Sequence, residues 1–194
     1  YLDAVVAMPI TELKDVIQPN IVRVTLNLMN GTLFVEFDEH IQTSASSLWI
    51  NTTRIFISNT SNITSLYSSR DIALTGATVR ESGDALIATI ILTERQRVAS
   101  IRVSGTPGGD SNAALLTADE GAFFDISENT QTSLHGLTID EILDDLRPTI
   151  THVQIDFNDG TIIITVSEIV NSGGLDLSKL RFIDGPLNNI TIEL

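Results

Sequence analysis

Two stretches of the chain alternate apolar and polar residues with a period of two. In the first, Val22, Val24, Leu26 and Leu28 alternate with Arg23, Thr25 and Asn27; after Asn30-Gly31 the pattern resumes as Leu33, Val35 and Phe37. In the second, Val153, Ile155 and Phe157 lead to Asp159-Gly160, then to Ile162, Ile164 and Val166. Such alternation marks a half-buried strand. Asn-Gly or Asp-Gly between two runs predicts a β-hairpin with a two-residue turn, both central residues at positive φ. Phe34 and Ile163 fall on the solvent side of their strands although they are large and apolar, which makes them candidate assembly contacts.

The two stretches correspond without a gap. Pro19 and Pro148 stand 129 residues apart, and nine of the 34 positions from Met8 to Ile41 are identical to Leu137 to Val170 at that offset. Self-similarity at one fixed offset is the signature of a repeat. Residues 1–18 therefore read as the tail and linker of a preceding repeat, 19–147 as a complete repeat, and 148–194 as the first part of the next. The stretch Tyr1 to Ile10 lacks the basic start of an intact signal peptide, so we expect the signal to have been removed or the chain to begin inside a longer protein.

Further strands are expected at Arg54 to Ile57 (matched by Leu180 to Ile183), Ile72 to Arg80, Asp84 to Leu92, Ala113 to Phe124 and Gly136 to Ile142. Gln42 to Ser47 and Asn59 to Arg70 read as loops. Thr93-Glu-Arg-Gln96 fits a capping box that opens one short helix, Glu94 to Arg102, with Val98 and Ile101 on one face. Seven or eight short strands with turn signals between them predict an all-β β-sandwich.

Charge narrows the partners. Eleven basic against 25 acidic residues leave a net charge of −14, which argues against nucleic acid or an anionic membrane surface. No run of residues is long and apolar enough to span a bilayer as a helix. The absence of cysteine removes disulfides, thiolate zinc sites and a cysteine nucleophile. Five Asn-x-Ser/Thr sequons, at Asn30, Asn51, Asn59, Asn62 and Asn189, point to an extracellular or cell-surface protein carrying N-linked glycans.

Candidate chemistry is sparse, and no catalytic residue emerges. His40 and His152 exchange for Ile169 and Arg23 between the corresponding stretches, and neither a nucleophile elbow nor a phosphate loop is present. Lys14 and Lys179 occupy different places in the repeat, which argues against a repeated isopeptide cross-link. Trp49 reads as core or half-buried. Strand-end Glu39 and Glu168 with linker Asp15, Asp144 and Asp145 are candidate calcium ligands, since hard cations take carboxylate oxygens and would stiffen a joint. Val16 stands where the second linker has Asp145, so that pair does not recur. The alternative is solvated linker charge.

The hairpin with Asp159-Gly-Thr161 and Val166-Ser-Glu168, the segment Leu92 to Arg102 followed by Gly105-Thr-Pro-Gly-Gly-Asp110, and Ala122-Phe-Phe-Asp-Ile-Ser-Glu-Asn129 resemble motifs of immunoglobulin-like repeats. Such repeats occur in surface-layer proteins and in giant repetitive surface proteins of algae and marine microbes. Many of them carry Asp-x-x-Gly-Asn where this chain has Glu128 in place of the glycine. The resemblance implies an immunoglobulin-like β-sandwich repeat in a tandem array, acting as a filament, stalk or surface layer, with copies of itself or neighbouring repeats as partners. It carries over no catalytic residue. The alternative is an adhesin or glycan-binding module using the loops at Gln42 to Ser47 and Asn59 to Arg70.

Overall fold

The computed structural model describes residues 10–43, 49–59, 72–80, 83–170, 172–174 and 176–181. Most of both expected binding loops, and the sequons at Asn62 and Asn189, lie outside the described residues. The chain divides into two compact units, Tyr1–Leu146 and Arg147–Leu194.

The first unit is all-β with one α-helix among its described residues. Strands β1 (Ile21–Asn27), β2 (Thr32–Ile41), β5 (Thr78–Arg80), β6 (Ala85–Ile91) and β9 (Asp140–Ile142) form an open sheet in the order β5-β6-β2-β1-β9. A second sheet has the order β4-β3-β7-β8, from Ile72–Ala73, Ile55–Ser58, Leu115–Ala118 and Leu134–Thr138. All named pairings are antiparallel except β1 with β9. Buried side chains of both sheets join one core: Val24, Leu26, Leu33, Val35 and Ile90 from the first, Ile55, Ile57 and Leu116 from the second. Phe37 and Phe123 meet edge to face there, with centroids 4.9 Å apart.

The hairpin forms where expected, with two differences. Its loop has four residues, Leu28 to Gly31, and only Gly31 takes a positive φ, +69°. The Asn27 side chain accepts from Met29 N (3.0 Å) and its carbonyl from Gly31 N (2.8 Å), so the chain turns early and Leu28 drops into the core. Val22, expected inward, is 53% exposed: a register shift between Ile21 and Arg23 inserts one residue and breaks the alternation there.

Two expected strands are each two. Ile72 to Arg80 divides at a turn with Gly76 at φ +86°, and its halves enter different sheets. Gly136 to Ile142 divides likewise into β8 and β9. Helix α1 (Glu94–Arg102) has the expected bounds, and its capping box is complete: Gln96 N donates to Thr93 Oγ1 and Thr93 N to Gln96 Oε1. Its buried residues are Gln96, Arg97 and Ser100, while Val98 is half-buried and Ile101 packs half-buried against the core. The helix is held by polar bonds. Gln96 Nε2 donates to the carbonyls of Ala73 and Thr75, while Arg97 donates to Leu28 O and pairs with Glu94 and Asp144.

The second unit contains β10 (Ile150–Asp156) and β11 (Thr161–Val166), an antiparallel pair. Its register matches the first hairpin residue for residue at the offset of 129. Asn27 faces Thr32 as Asp156 faces Thr161, and the register shift between Ile21 and Arg23 recurs between Ile150 and His152. The four-residue loop recurs too, with Gly160 at φ +74° donating to Asp156 O. Beyond it, the 3-10 turn Thr52–Arg54 capped by Asn51 has a counterpart in Leu177–Lys179 capped by Asp176. These caps align Ile55 with Leu180, one residue from the expected pairing of Arg54 with Leu180.

Candidate functional site

The cap of the Asp-Ile-Ser-Glu-Asn turn brings a carboxylate into the core region. Asp125, 1% exposed, accepts from Asn129 N and Asn129 Nδ2, both at 2.7 Å. Glu128 takes φ +68°, a left-handed conformation that favours glycine. Glu39, near the end of strand β2, lies beside this cap. The segment before Pro19 adds Asp15, whose carbonyl accepts from Asn129 Nδ2 and whose Oδ1 accepts from Ile17 N. Asp15, Glu39 and Asp125 each offer one carboxylate oxygen, all within 4.8 Å of one another.

Two of these three, Asp15 and Glu39, are expected from the sequence; Asp125 is not. Nothing local to Asp125 announces it, because the turn that presents it packs beside β2 only through long-range pairing such as the Ile41 to Asp125 bridge. Asp144 is spent elsewhere, on Arg97. Asp145 is exposed and belongs to the first unit, Glu168 to the second.

Crowding of like charges disfavours ionisation. Burial holds the Glu39 carboxyl above its ordinary value, and the Asp125, Asp15 and Asp38 carboxylates add to this. Its Oε1 is buried without a hydrogen-bond partner. By contrast Asp38, bonded by Asn20 N and Asn20 Nδ2, is held below the usual range. The cluster can retain a proton on Glu39 or hold a hard divalent cation. A carboxyl raised in the fold contributes stability that is full below its unfolded value and is lost as pH rises through the folded one. Glu39→Gln is therefore expected to raise the melting temperature at about pH 7 in chelator and to lose that gain by about pH 3, where the wild-type carboxyl is protonated in both states. If calcium is held, added calcium raises the wild-type melting temperature and leaves the variant unmoved.

The described sequons differ. Asn30 is exposed on the hairpin loop, its Oδ1 accepting from Thr32 N. Asn51 is half-buried and caps the 3-10 turn, its Oδ1 accepting from Thr53 N and Thr53 Oγ1. Asn59 donates its amide nitrogen, the atom a glycan would use, to Asp110. Asn51 also lines an open groove with Arg54, Glu120, Gly121, Phe124 and Thr130. Trp49 is half-buried and stands edge-on to Phe124, 5.9 Å away. Phe34 and Ile163 are exposed on their strands.

Comparison of this chain with protein-family models, with curated proteins and with solved structures gives no match.

Proposed function

We infer that this chain is a stretch of a tandem β-sandwich array with a mechanical and assembly role, an extracellular fibrous or surface glycoprotein. The observation that supports this reading is the second hairpin. It reproduces the first in register, in its bulge and in its four-residue loop after 129 residues, and the capped 3-10 turn that follows recurs after 125. Among the described residues, carboxylates and sequons decorate a scaffold of sheets. In such an array each unit folds on its own core, and the segment from Leu143 to Pro148 joins one unit to the next. The glycans would sit at loops such as that of Asn30.

Negative-stain imaging of native material tests this. Regular filaments or sheets with an even axial repeat are expected. Dispersed particles that bind a glycan array, and lose binding on Phe124→Ala in the groove beside Trp49, would replace it with the adhesin reading.

A further inference from the structure

Two short pieces of chain lie side by side at one end of the second sheet. Ile50 bridges Phe123 in antiparallel fashion, Asn51 N donates to Ala122 O at 2.8 Å, and Asp119 N donates to Arg54 O at 2.9 Å. Ile50 and Phe123 both enter the core, 2% and 0% exposed. Side chains alternate across extended backbone, so the flanking Trp49, Asn51 and Phe124, all half-buried, turn the other way. There Asn51, Arg54, Glu120, Gly121, Phe124 and Thr130 line an open groove of about 510 Å³, within the size range of small-ligand sites. Gly121, at φ +78°, leaves the edge of the Phe124 ring uncovered: a Cβ there would stand 3.9 Å from Phe124 Cζ.

Asn51 opens the sequon Asn51-Thr52-Thr53, and its two amide atoms have separate duties. Oδ1 caps the 3-10 turn, accepting from Thr53 N at 3.1 Å and from Thr53 Oγ1 at 2.6 Å. Nδ2 donates to nothing among the described residues. Capping needs the oxygen alone. At the matching turn of the second unit, Asp176 accepts from Ser178 N and Ser178 Oγ in the same way, with no nitrogen to offer. The Asn51 nitrogen is therefore surplus to the fold, and its residue forms part of the groove wall. The other described sequons differ: Asn59 donates its nitrogen to Asp110, and Asn30 stands exposed on the hairpin loop.

We propose that Asn51 carries an N-linked glycan whose first sugars fold back into this groove against the Phe124 ring. This rests on the glycoprotein reading above and gives one glycan a structural place. In attachment, Nδ2 loses a proton and bonds to the anomeric carbon of an N-acetylglucosamine. The bond from that carbon to the pyrophosphate of a lipid-linked oligosaccharide donor breaks, and the lipid pyrophosphate leaves. Asn51 Oδ1 stays an acceptor, so the cap survives the modification. The groove suits a sugar, which has an apolar C–H face and a rim of hydroxyls. Phe124 offers apolar aromatic surface, Arg54 can donate and Glu120 can accept. Arg54 is steadied by donating Nη1 to Glu120 O at 3.0 Å.

Digestion of native material with a peptide N-glycosidase, without denaturant, tests this. The enzyme converts each released asparagine to aspartate, so mass spectrometry follows every sequon separately. The Asn51 glycan is expected to be released at least ten-fold more slowly than glycans at other occupied sequons, and equally fast once the chain is unfolded. Phe124→Leu, made in the full chain secreted from a eukaryotic host, keeps apolar bulk and removes the aromatic face. It is expected to abolish the protection of Asn51 while the far-ultraviolet circular dichroism stays unchanged. Three results would overturn the proposal: an unmodified Asn51 beside occupied sequons, release from Asn51 as fast as from the others, or protection that persists in Phe124→Leu. Each of these leaves the glycoprotein reading standing. Native material with no N-linked glycan at any sequon would defeat that reading and the proposal together.

Discussion

Arg97→Ala is expected to lower the unfolding free energy by about 3–5 kcal/mol, the range for breaking a buried ion pair from one side. The Arg97 side chain is 6% exposed and that of Asp144 13%. Its guanidinium binds Glu94 through Nε and Nη2 at 2.7 and 2.8 Å, donates to Leu28 O at 2.9 Å and pairs with Asp144. Its aliphatic stem packs on the turn at Gly31. Truncation leaves Asp144 charged and mostly buried, and strips Leu28 O of this donor. The cost comes from stranding those groups more than from losing attraction, and a second variant separates the two. Arg97→Met/Asp144→Leu removes both charges and is expected to recover more than half of the loss. Urea unfolding followed by circular dichroism measures both. A single-variant cost below about 1 kcal/mol would mean that water screens the pair.

This cluster also shows what could be read from the chain before its fold was known. The helix bounds were legible because Thr93 and Gln96 write a capping box in four residues. Its inward face was legible only at Ile101, which packs half-buried against the core; Gln96 and Arg97 were not, because what they meet beneath the helix is the carbonyls of Leu28, Ala73 and Thr75. Those acceptors select Gln96 and Arg97, and no local pattern reveals acceptors supplied by distant strands. The hairpin and its inward faces were legible from alternation and the Asn-Gly and Asp-Gly pairs, but its register was not: a two-residue turn would set Met29 opposite Thr32, whereas Asn27 holds that place because its side chain and carbonyl close the loop early. The bulge at Val22 was not, since an inserted residue looks like one more apolar position. The carboxylate cluster was legible by two thirds: Asp15 and Glu39 stand out in linker and strand end, but Asp125 reaches them only through tertiary pairing.

Leu26→Ala and Ile155→Ala alter one position of the repeat in its covered and uncovered settings, and they are expected to differ by several-fold. Leu26 has no exposed surface, so its truncation removes buried methyl groups and leaves a cavity, at about 3 kcal/mol within the usual range of 2–5. Ile155 is 38% exposed; it forfeits less transferred surface and leaves no closed cavity, so the expected cost is under about 1 kcal/mol. Trp49 is the sole tryptophan and packs against Phe124 in the first unit, so its fluorescence in a urea titration reports that unit alone. Leu26→Ala should move the midpoint and Ile155→Ala should not. Equal midpoint shifts for the two variants would mean that unfolding of the second hairpin is coupled to that of the first unit, and that the two do not fold each on its own core.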